Sequence, residues 1–353
     1  MKKFRVALLA NLKVNAPHFE GMVEDQWADL DSEKTVNALV EAIRAGGHEC
    51  EFLEGNPTLF NTVPQYKPDI CFNICEGHYG DSREAQVPAI LEMLRVPYTG
   101  SRVLTLALTL DKPMTKRVLH YHELPTPLFQ VFERDDEPLS PDLSFPLFAK
   151  PSREGTGMGV SGKSILHNEE ELQEQVAYIL DNYKQPALVE EYIEGREVTM
   201  GLIGNLQTPV AQRVPEDEEA PRIIAGLKFL PPMEVDLKPF EGTDVVYSNR
   251  LKVALADKLT YLCPAPIEAG LVEELNWLTA AVFRVTGALD VSRVDFRLDI
   301  HDNLKPYILE INPLPGLSPV ISDLVIEAAA IGMGHTELVN TILNTALARY
   351  GLI

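Results

Sequence analysis

The first hundred positions alternate between two hydrophobic rhythms. A short apolar stretch at residues 4–10 predicts a buried strand, and residues 35–45 place Val36, Leu39, Val40 and Ile43 on one helical face. Gly46-Gly47 marks the end of that helix. Further short strands are predicted at 50–53 and 69–74, then a helix at 84–94 and a strand-like segment at 97–100. The β-α-β order implies an open, mostly parallel sheet through about residue 104.

A different texture follows. Residues 104–121 read as one helix, and Leu124-Pro125-Thr126-Pro127 breaks the chain. Residues 147–150 and 159–166 read as two strands joined by a glycine-rich turn. Asn168 is placed to cap a helix whose first turn carries Glu169, Glu170 and Glu171, where carboxylates suit the helix dipole. A strand at 187–192 and long helices at 266–285 and 336–350 complete the pattern, with an exposed Pro/acidic loop expected at 215–221.

The sharpest local signal is a hairpin. In residues 291–298 one face carries Arg293, Asp295 and Arg297, while the other carries Ser292, Val294, Phe296 and Leu298. In residues 307–312 one face is Tyr307, Leu309 and Ile311, and the other is Ile308, Glu310 and Asn312. A two-residue turn at Asp302-Asn303 would place Asp295 opposite Glu310 and Arg293 opposite Asn312. Two carboxylates directly opposite each other repel. A hard divalent cation between them removes the conflict, and Asn312 supplies a third oxygen, a set that suits Mg²⁺ carrying phosphates. Alternatively, Arg293 and Arg297 neutralise a solvated strand face.

Gly157-Met-Gly-Val-Ser-Gly162-Lys163-Ser164 matches the pattern G-x-x-x-x-G-K-[ST], which binds phosphate when a helix starts at the lysine. Here the helix cap falls later, at Asn168, so Lys163 is expected in a strand and the P-loop reading is set aside. The loop 152–159 remains open between a flexible hairpin turn and a lid whose bare amides approach a polyphosphate.

Composition narrows the field. The 353 residues carry 31 Lys+Arg against 52 Asp+Glu, a net charge of −21, which argues against a non-specific nucleic-acid binder. The length suggests two or three compact units. The four cysteines, Cys50, Cys71, Cys75 and Cys263, do not resemble a disulfide framework. With no apolar run long enough for a signal core or a membrane span, a soluble cytoplasmic protein without a membrane partner is expected.

Ordered blocks of sequence then resemble one family. They are Arg83-Glu84-Ala85-Gln86-Val87-Pro88, Pro97-Tyr98-Thr99-Gly100-Ser101, Asp111-Lys112, Lys150-Pro151-Ser152-Arg153-Glu154-Gly155 and Val189-Glu190-Glu191-Tyr192-Ile193. Gly195-Arg196-Glu197, Cys263-Pro264-Ala265, Arg293-Val294-Asp295-Phe296 and Glu310-Ile311-Asn312-Pro313-Leu314-Pro315-Gly316 follow. In this order, from about residue 69 onward, the chain is similar to the ATP-grasp ligases of the D-alanine–D-alanine ligase family. The resemblance implies an α/β protein, α+β in its ATP-grasp part: a Rossmann-like parallel-sheet domain over 1–104, a central lid subdomain over 105–194 and a catalytic subdomain over 195–353.

The same resemblance implies roles. Lys112 and Lys150 would contact ATP phosphates, with Gly155, Thr156 and Gly157 closing over them. Glu190, Glu191 and Ile193 lie in the segment expected to bind adenine, and Glu197 would hold the ribose. Asp295, Glu310 and Asn312 match the magnesium ligands, with Mn²⁺ an alternative ion. Arg293 matches the arginine that stabilises the reaction intermediates, Gly316 the oxyanion turn, and Lys252 a lysine of the mobile loop. The implied reaction is ATP-dependent joining of a carboxylate to an amine through an acyl phosphate. The partners are small-molecule substrates, and a homodimer is implied. The other open class is a nucleotide-binding protein without ligase chemistry, acting as a regulator or partner.

The amino-acid half departs from the family pattern. The family's first-substrate segment reads Glu24-Asp25-Gln26-Trp27-Ala28-Asp29-Leu30-Asp31-Ser32-Glu33 here, with Asp31 and Ser32 also readable as helix caps. Its histidine-glycine pair reads Glu76-Gly77, and its carboxylate-binding serine falls near Ile321, with Ser318 and Ser322 as displaced candidates. D-alanine is thus one candidate substrate, and a different acceptor is expected to fit better.

Overall fold

The computed structural model describes residues 2–207, 225–236, 259–319 and 321–353. The expected loop at 215–221 and Lys252 lie outside the described residues.

The opening sheet is parallel, as the alternating rhythm predicts. Strand β1 (Arg5–Ala10) lies between β2 (Glu49–Glu54) and β3 (Ile70–Asn73). Helix α1 (Glu33–Ala45) crosses between β1 and β2 and buries Val36, Leu39, Val40 and Ile43. Ser32 caps it by accepting from the Thr35 amide at 3.1 Å. Helix α2 (Leu59–Tyr66), with Pro64 inside it, precedes β3, and α3 (Gln86–Leu94) follows a short 3-10 turn, Arg83–Ala85. The segment 97–100 reaches the sheet through a single parallel bridge from Tyr98 to Cys71.

The helix expected over 104–121 is two helices, α4 (Val103–Leu110) and α5 (Lys112–Tyr121). Asp111 breaks it. Its extended backbone and its side chain, which accepts from the Met114 amide, make it the cap of α5, with Pro113 in the first turn.

A four-stranded antiparallel sheet comes next, built from β4 (Phe129–Phe132), β5 (Leu147–Pro151), β6 (Ile165–Leu166) and β7 (Ala187–Glu191), with α6 (Glu169–Tyr183) against it. Asn168 caps α6 as expected. The strand expected over 159–166 shrinks to Ile165–Leu166. Gly157 and Gly159 take positive φ, and Ser161 and Ser164 close a capping box around a 3-10 turn at Gly162–Ser164. Lys163 sits exposed in that turn rather than in a strand, and the following helix starts at Glu169, so the P-loop geometry is absent.

The largest sheet contains β8 (Gly195–Gly204), β9 (Leu227–Phe229), β10 (Met233–Asp236), β11 (Thr260–Leu262), β12 (Asp290–Asp299) and β13 (Lys305–Asn312), all antiparallel. Helix α7 (Ala269–Thr286) packs on it through Leu275, Leu278, Val282 and Phe283. Helices α8 (Asp323–Ala330) and α9 (His335–Arg349) then return to the first sheet. Leu338, Ile342 and Leu347 share one core with Phe4, Leu39 and Ile43. No helix among the described residues is long and apolar enough to cross a membrane, and all four cysteines are free.

One buried ion pair fastens this return. Arg349 meets Asp290 twice, at 2.7 and 2.9 Å, and donates to the Tyr98 carbonyl at 2.9 Å, while the Gly100 amide donates to Asp290. Asp290 is fully buried. Arg349→Met leaves that carboxylate uncompensated and is expected to lower stability by about 3–5 kcal/mol. A urea unfolding midpoint equal to that of the parent would contradict this.

Candidate active site

The two antiparallel sheets face each other across a cavity of about 700 Å³. On one wall, α5 and β5 bring in lysines. Lys150 Nζ lies 2.6 Å from Glu190 Oε1, and Lys116 Nζ lies 2.7 Å from Glu190 Oε2. Although burial pushes the Glu190 carboxyl up, the two ammoniums win and hold it below the usual carboxylate range. Glu190 in turn keeps Lys150 charged against its burial, whereas burial prevails at Lys116 and lowers its pKa. Sequence reading missed Lys116. The only signal was its position one helical turn after Lys112, on the same face of α5.

The opposite wall is the polar face of β12 and β13. Arg293 pairs with Asn312 and Asp295 with Glu310, as the hairpin reading expected. The turn is not the expected one. The register nearer the turn pairs Asp299 with Lys305 and Phe296 with Ile308, and residues 300–304 make the connection with Asn303 and Leu304 at positive φ. Continued unchanged, that register would set Asp295 against Leu309. A bulge opposite the Asp295/Phe296 step absorbs Leu309 and restores the pairing of the two carboxylates. It also moves Ile308 to the buried side with Ile311, contrary to the expected grouping with Glu310.

Arginine and lysine compensate the carboxylate pair. Asp295 accepts from Arg293 Nε and Nη2, both at 2.8 Å, from Thr199 Oγ1 at 2.6 Å and from Asn312 Nδ2 at 2.9 Å. Arg293 also reaches Asp323 at 3.2 Å, and Lys112 Nζ lies 3.2 Å from Glu310 Oε2. Burial pushes Glu310 up, but Lys112, Lys150 and Arg293 together hold it well below the ordinary carboxylate range. Glu310 is therefore an anion at any neutral pH. Arg293 partly realises the alternative reading of this face, while Arg297 turns to Glu197 at 3.3 Å instead.

The remaining expected residues line the same cavity. Gly155, Thr156 and Gly157 form its rim, and a side chain at Gly155 would meet nothing within 4 Å. Glu191, Ile193 and Glu197 follow from the end of β7 into β8, and Gly316 lies beyond β13 beside Ser318, Ile321 and Ser322. Ser322 Oγ accepts from the Ser318 amide at 2.9 Å. In the divergent segment, Asp29 and Asp31 line the cavity, Ser32 caps α1, and Asp25 instead accepts from the Gly159 amide and the Tyr183 hydroxyl, both at 2.9 Å.

Two antiparallel sheets closing on one charged cavity, behind a parallel sheet, define an ATP-grasp fold. A D-alanine–D-alanine ligase from Bacillus anthracis, solved in complex with ATP, superposes with a TM-score of 0.70 at 20% identity over 99% of both chains. The family model described as D-ala D-ala ligase C-terminus matches residues 118–220 and 232–344. The chain is 35% identical to the uncharacterized protein y4sG of Sinorhizobium fredii, over 90% of this chain and 88% of that one. It is 30% identical to the D-alanine–D-alanine ligase of Syntrophotalea carbinolica, over 90% of this chain and 91% of that one. The chain belongs to the D-alanine–D-alanine ligase family.

The lysine–glutamate cluster can be tested without any ligand. Glu190→Gln removes the charge that compensates two buried ammoniums and is expected to cost about 3 kcal/mol or more of stability. Chemical denaturation that detects less than about 1 kcal/mol would show that Lys116 and Lys150 are not held by this contact.

Proposed function

We propose that the protein is an ATP-dependent carboxylate–amine ligase that joins two amino-acid-like substrates through an acyl phosphate. One observation supports this above the others. Arg293, Asp295, Glu310 and Asn312 share one face of the paired strands β12 and β13, opposite Lys112 and Lys150 in a single cavity, and nucleotide binding alone has no need of the complete set.

In this reading Lys112 and Lys150 hold the ATP phosphates, and Gly155, Thr156 and Gly157 close over them with unobstructed backbone. Glu190, Glu191 and Ile193 receive the adenine, and Glu197 the ribose. Asp295, Glu310 and Asn312 would hold Mg²⁺ or Mn²⁺. Their oxygens suit a hard cation, and the positive side chains gathered on Asp295 and Glu310 support a site that takes up positive charge. Such an ion neutralises phosphate charge during transfer.

The substrate carboxylate oxygen attacks the γ-phosphorus, and the bond to ADP breaks. The amine of the second substrate then attacks the acyl carbon, loses a proton and expels phosphate. Arg293 sits where negative charge develops in both steps, and the Gly316 turn supplies backbone donors to the second. By family resemblance, Lys252 is assigned to the catalytic set. Closure by residues 155–157 keeps water from the acyl phosphate. The proposal keeps the division into 1–104, 105–194 and 195–353, and extends by family resemblance to a cytoplasmic homodimer.

Purified protein with Mg-ATP and a panel of D- and L-amino acids should release ADP only when an amino acid is present, with a dipeptide found by mass spectrometry. ADP release indifferent to every amino acid would contradict ligation. Nucleotide placement has a separate test by calorimetry. Lys150→Ala is expected to weaken Mg-ATP binding by about 10–100-fold. Lys163→Ala, exposed in its 3-10 turn, should change it by less than about 2-fold. The reverse ranking would sink the placement.

A further inference from the structure

Five carboxylates line the part of the cavity formed beyond the carboxyl ends of β1 and β3. Asp29 and Asp31 come from the segment before α1, Glu76 from just after β3, Glu84 from the 3-10 turn Arg83–Ala85, and Glu154 from the loop after β5. The carboxyl ends of parallel strands are where open α/β sheets take their ligands. Backbone pairing fixes the segment: the Asp31 amide donates to the Asn11 carbonyl at 3.1 Å, and its carbonyl accepts from the Lys13 amide at 2.9 Å.

The cations nearby are already committed. Arg83 lies 2.9 Å from Glu154 and 3.3 Å from Asp29, and donates to the Arg153 carbonyl. Lys112 is held by Glu310 and by the Glu154 carbonyl. Asp31, Glu76 and Glu84 make no side-chain hydrogen bond or ion pair with any described residue. Asp29 Oδ1 is buried without a partner, on a side chain only 7% exposed that borders the cavity. An oxygen taken from water in this way is costly unless something pairs with it. In keeping with that, burial pushes the Asp31 and Glu84 carboxyls up to about 7, and Glu76 well above its usual range.

Among the described residues no three His, Cys, Asp or Glu side chains converge in metal-ligating geometry. The acids are spread along a wall, which suits separate positive groups on an extended organic molecule. A single α-ammonium has three donors and is saturated by one or two carboxylates.

We propose that the substrate seated on this wall is an amino acid with a second cationic group, a diamino acid such as ornithine or lysine, its two ammonium groups shared among Asp29, Asp31, Glu76 and Glu84. This rests on the ligase reading above and specifies its substrate class.

The test compares ornithine with norleucine, its neutral isostere, and includes lysine and alanine, each as both enantiomers. Amino-acid-dependent ADP release gives kcat/KM, and calorimetry on the same compounds gives Kd. The better enantiomer of ornithine should exceed norleucine by about 10–100-fold in both, the range that charge-assisted hydrogen bonds supply. Asp31→Asn and Glu76→Gln should each cut that preference severalfold, with melting temperatures little changed, because neither side chain has a hydrogen-bond or ion-pair partner among the described residues to lose. Neutral amino acids turned over as well as basic ones would overturn the proposal while leaving the ligase reading in place. No ADP release from any compound would overturn the ligase reading. Calorimetry would then judge the wall, since ornithine bound no more tightly than norleucine would overturn the proposal as well.

Discussion

Asp295 and Glu310 face each other across two antiparallel strands inside a cavity, and like charges so placed repel unless positive charge is brought to them. Much of the surrounding structure does this. Arg293 chelates Asp295 from the same strand, Lys112 reaches Glu310 from the start of α5, and Lys150 adds its field from β5 while Glu190 holds it. The positive groups thus span both antiparallel sheets, so the two sheets are coupled electrostatically as well as by the chain. The same arrangement suits the binding of a polyphosphate, which brings anions to the lysines, and of a hard cation, which relieves the carboxylates.

The carboxylate pairing was legible because alternation along 291–298 is strict, with apolar Val294, Phe296 and Leu298 buried and the charged residues between them on the other face. The turn was not. Asp302-Asn303 has the chemistry of a two-residue turn, yet the chain places its left-handed residues at Asn303 and Leu304, and a bulge at Leu309 corrects the register. Two departures cancel at Asp295 and Glu310. Turn propensity is a local property, whereas the register there is also held by β12 pairing with β8 along its whole length.

Other features were beyond a linear reading. Lys116 looks like any helix lysine until Glu190 comes to it from β7, and the break at Asp111 depends on a cap that competes with continuous helical periodicity. The strand expected at Lys163 yields to two left-handed glycines and a serine capping box. The acidic wall is assembled from four separate segments, and only three-dimensional packing reveals that Arg83 and Lys112 are placed against it. The resemblance located the divergence at Glu76 and within residues 24–33, but gave no sense of what replaced the usual partners. The structure supplies that: a wall of carboxylates, with Asp31, Glu76 and Glu84 lacking a side-chain partner among the described residues.

The central claim is that a substrate carboxylate is activated by phosphorylation, and oxygen transfer tests it most directly. An amino-acid substrate whose carboxylate carries heavy oxygen is turned over with unlabelled ATP, and the released phosphate is examined by phosphorus NMR or mass spectrometry. Formation and aminolysis of an acyl phosphate leave one carboxylate oxygen on phosphorus, so the phosphate should carry one label per turnover. Product formed with unlabelled phosphate would contradict the claim.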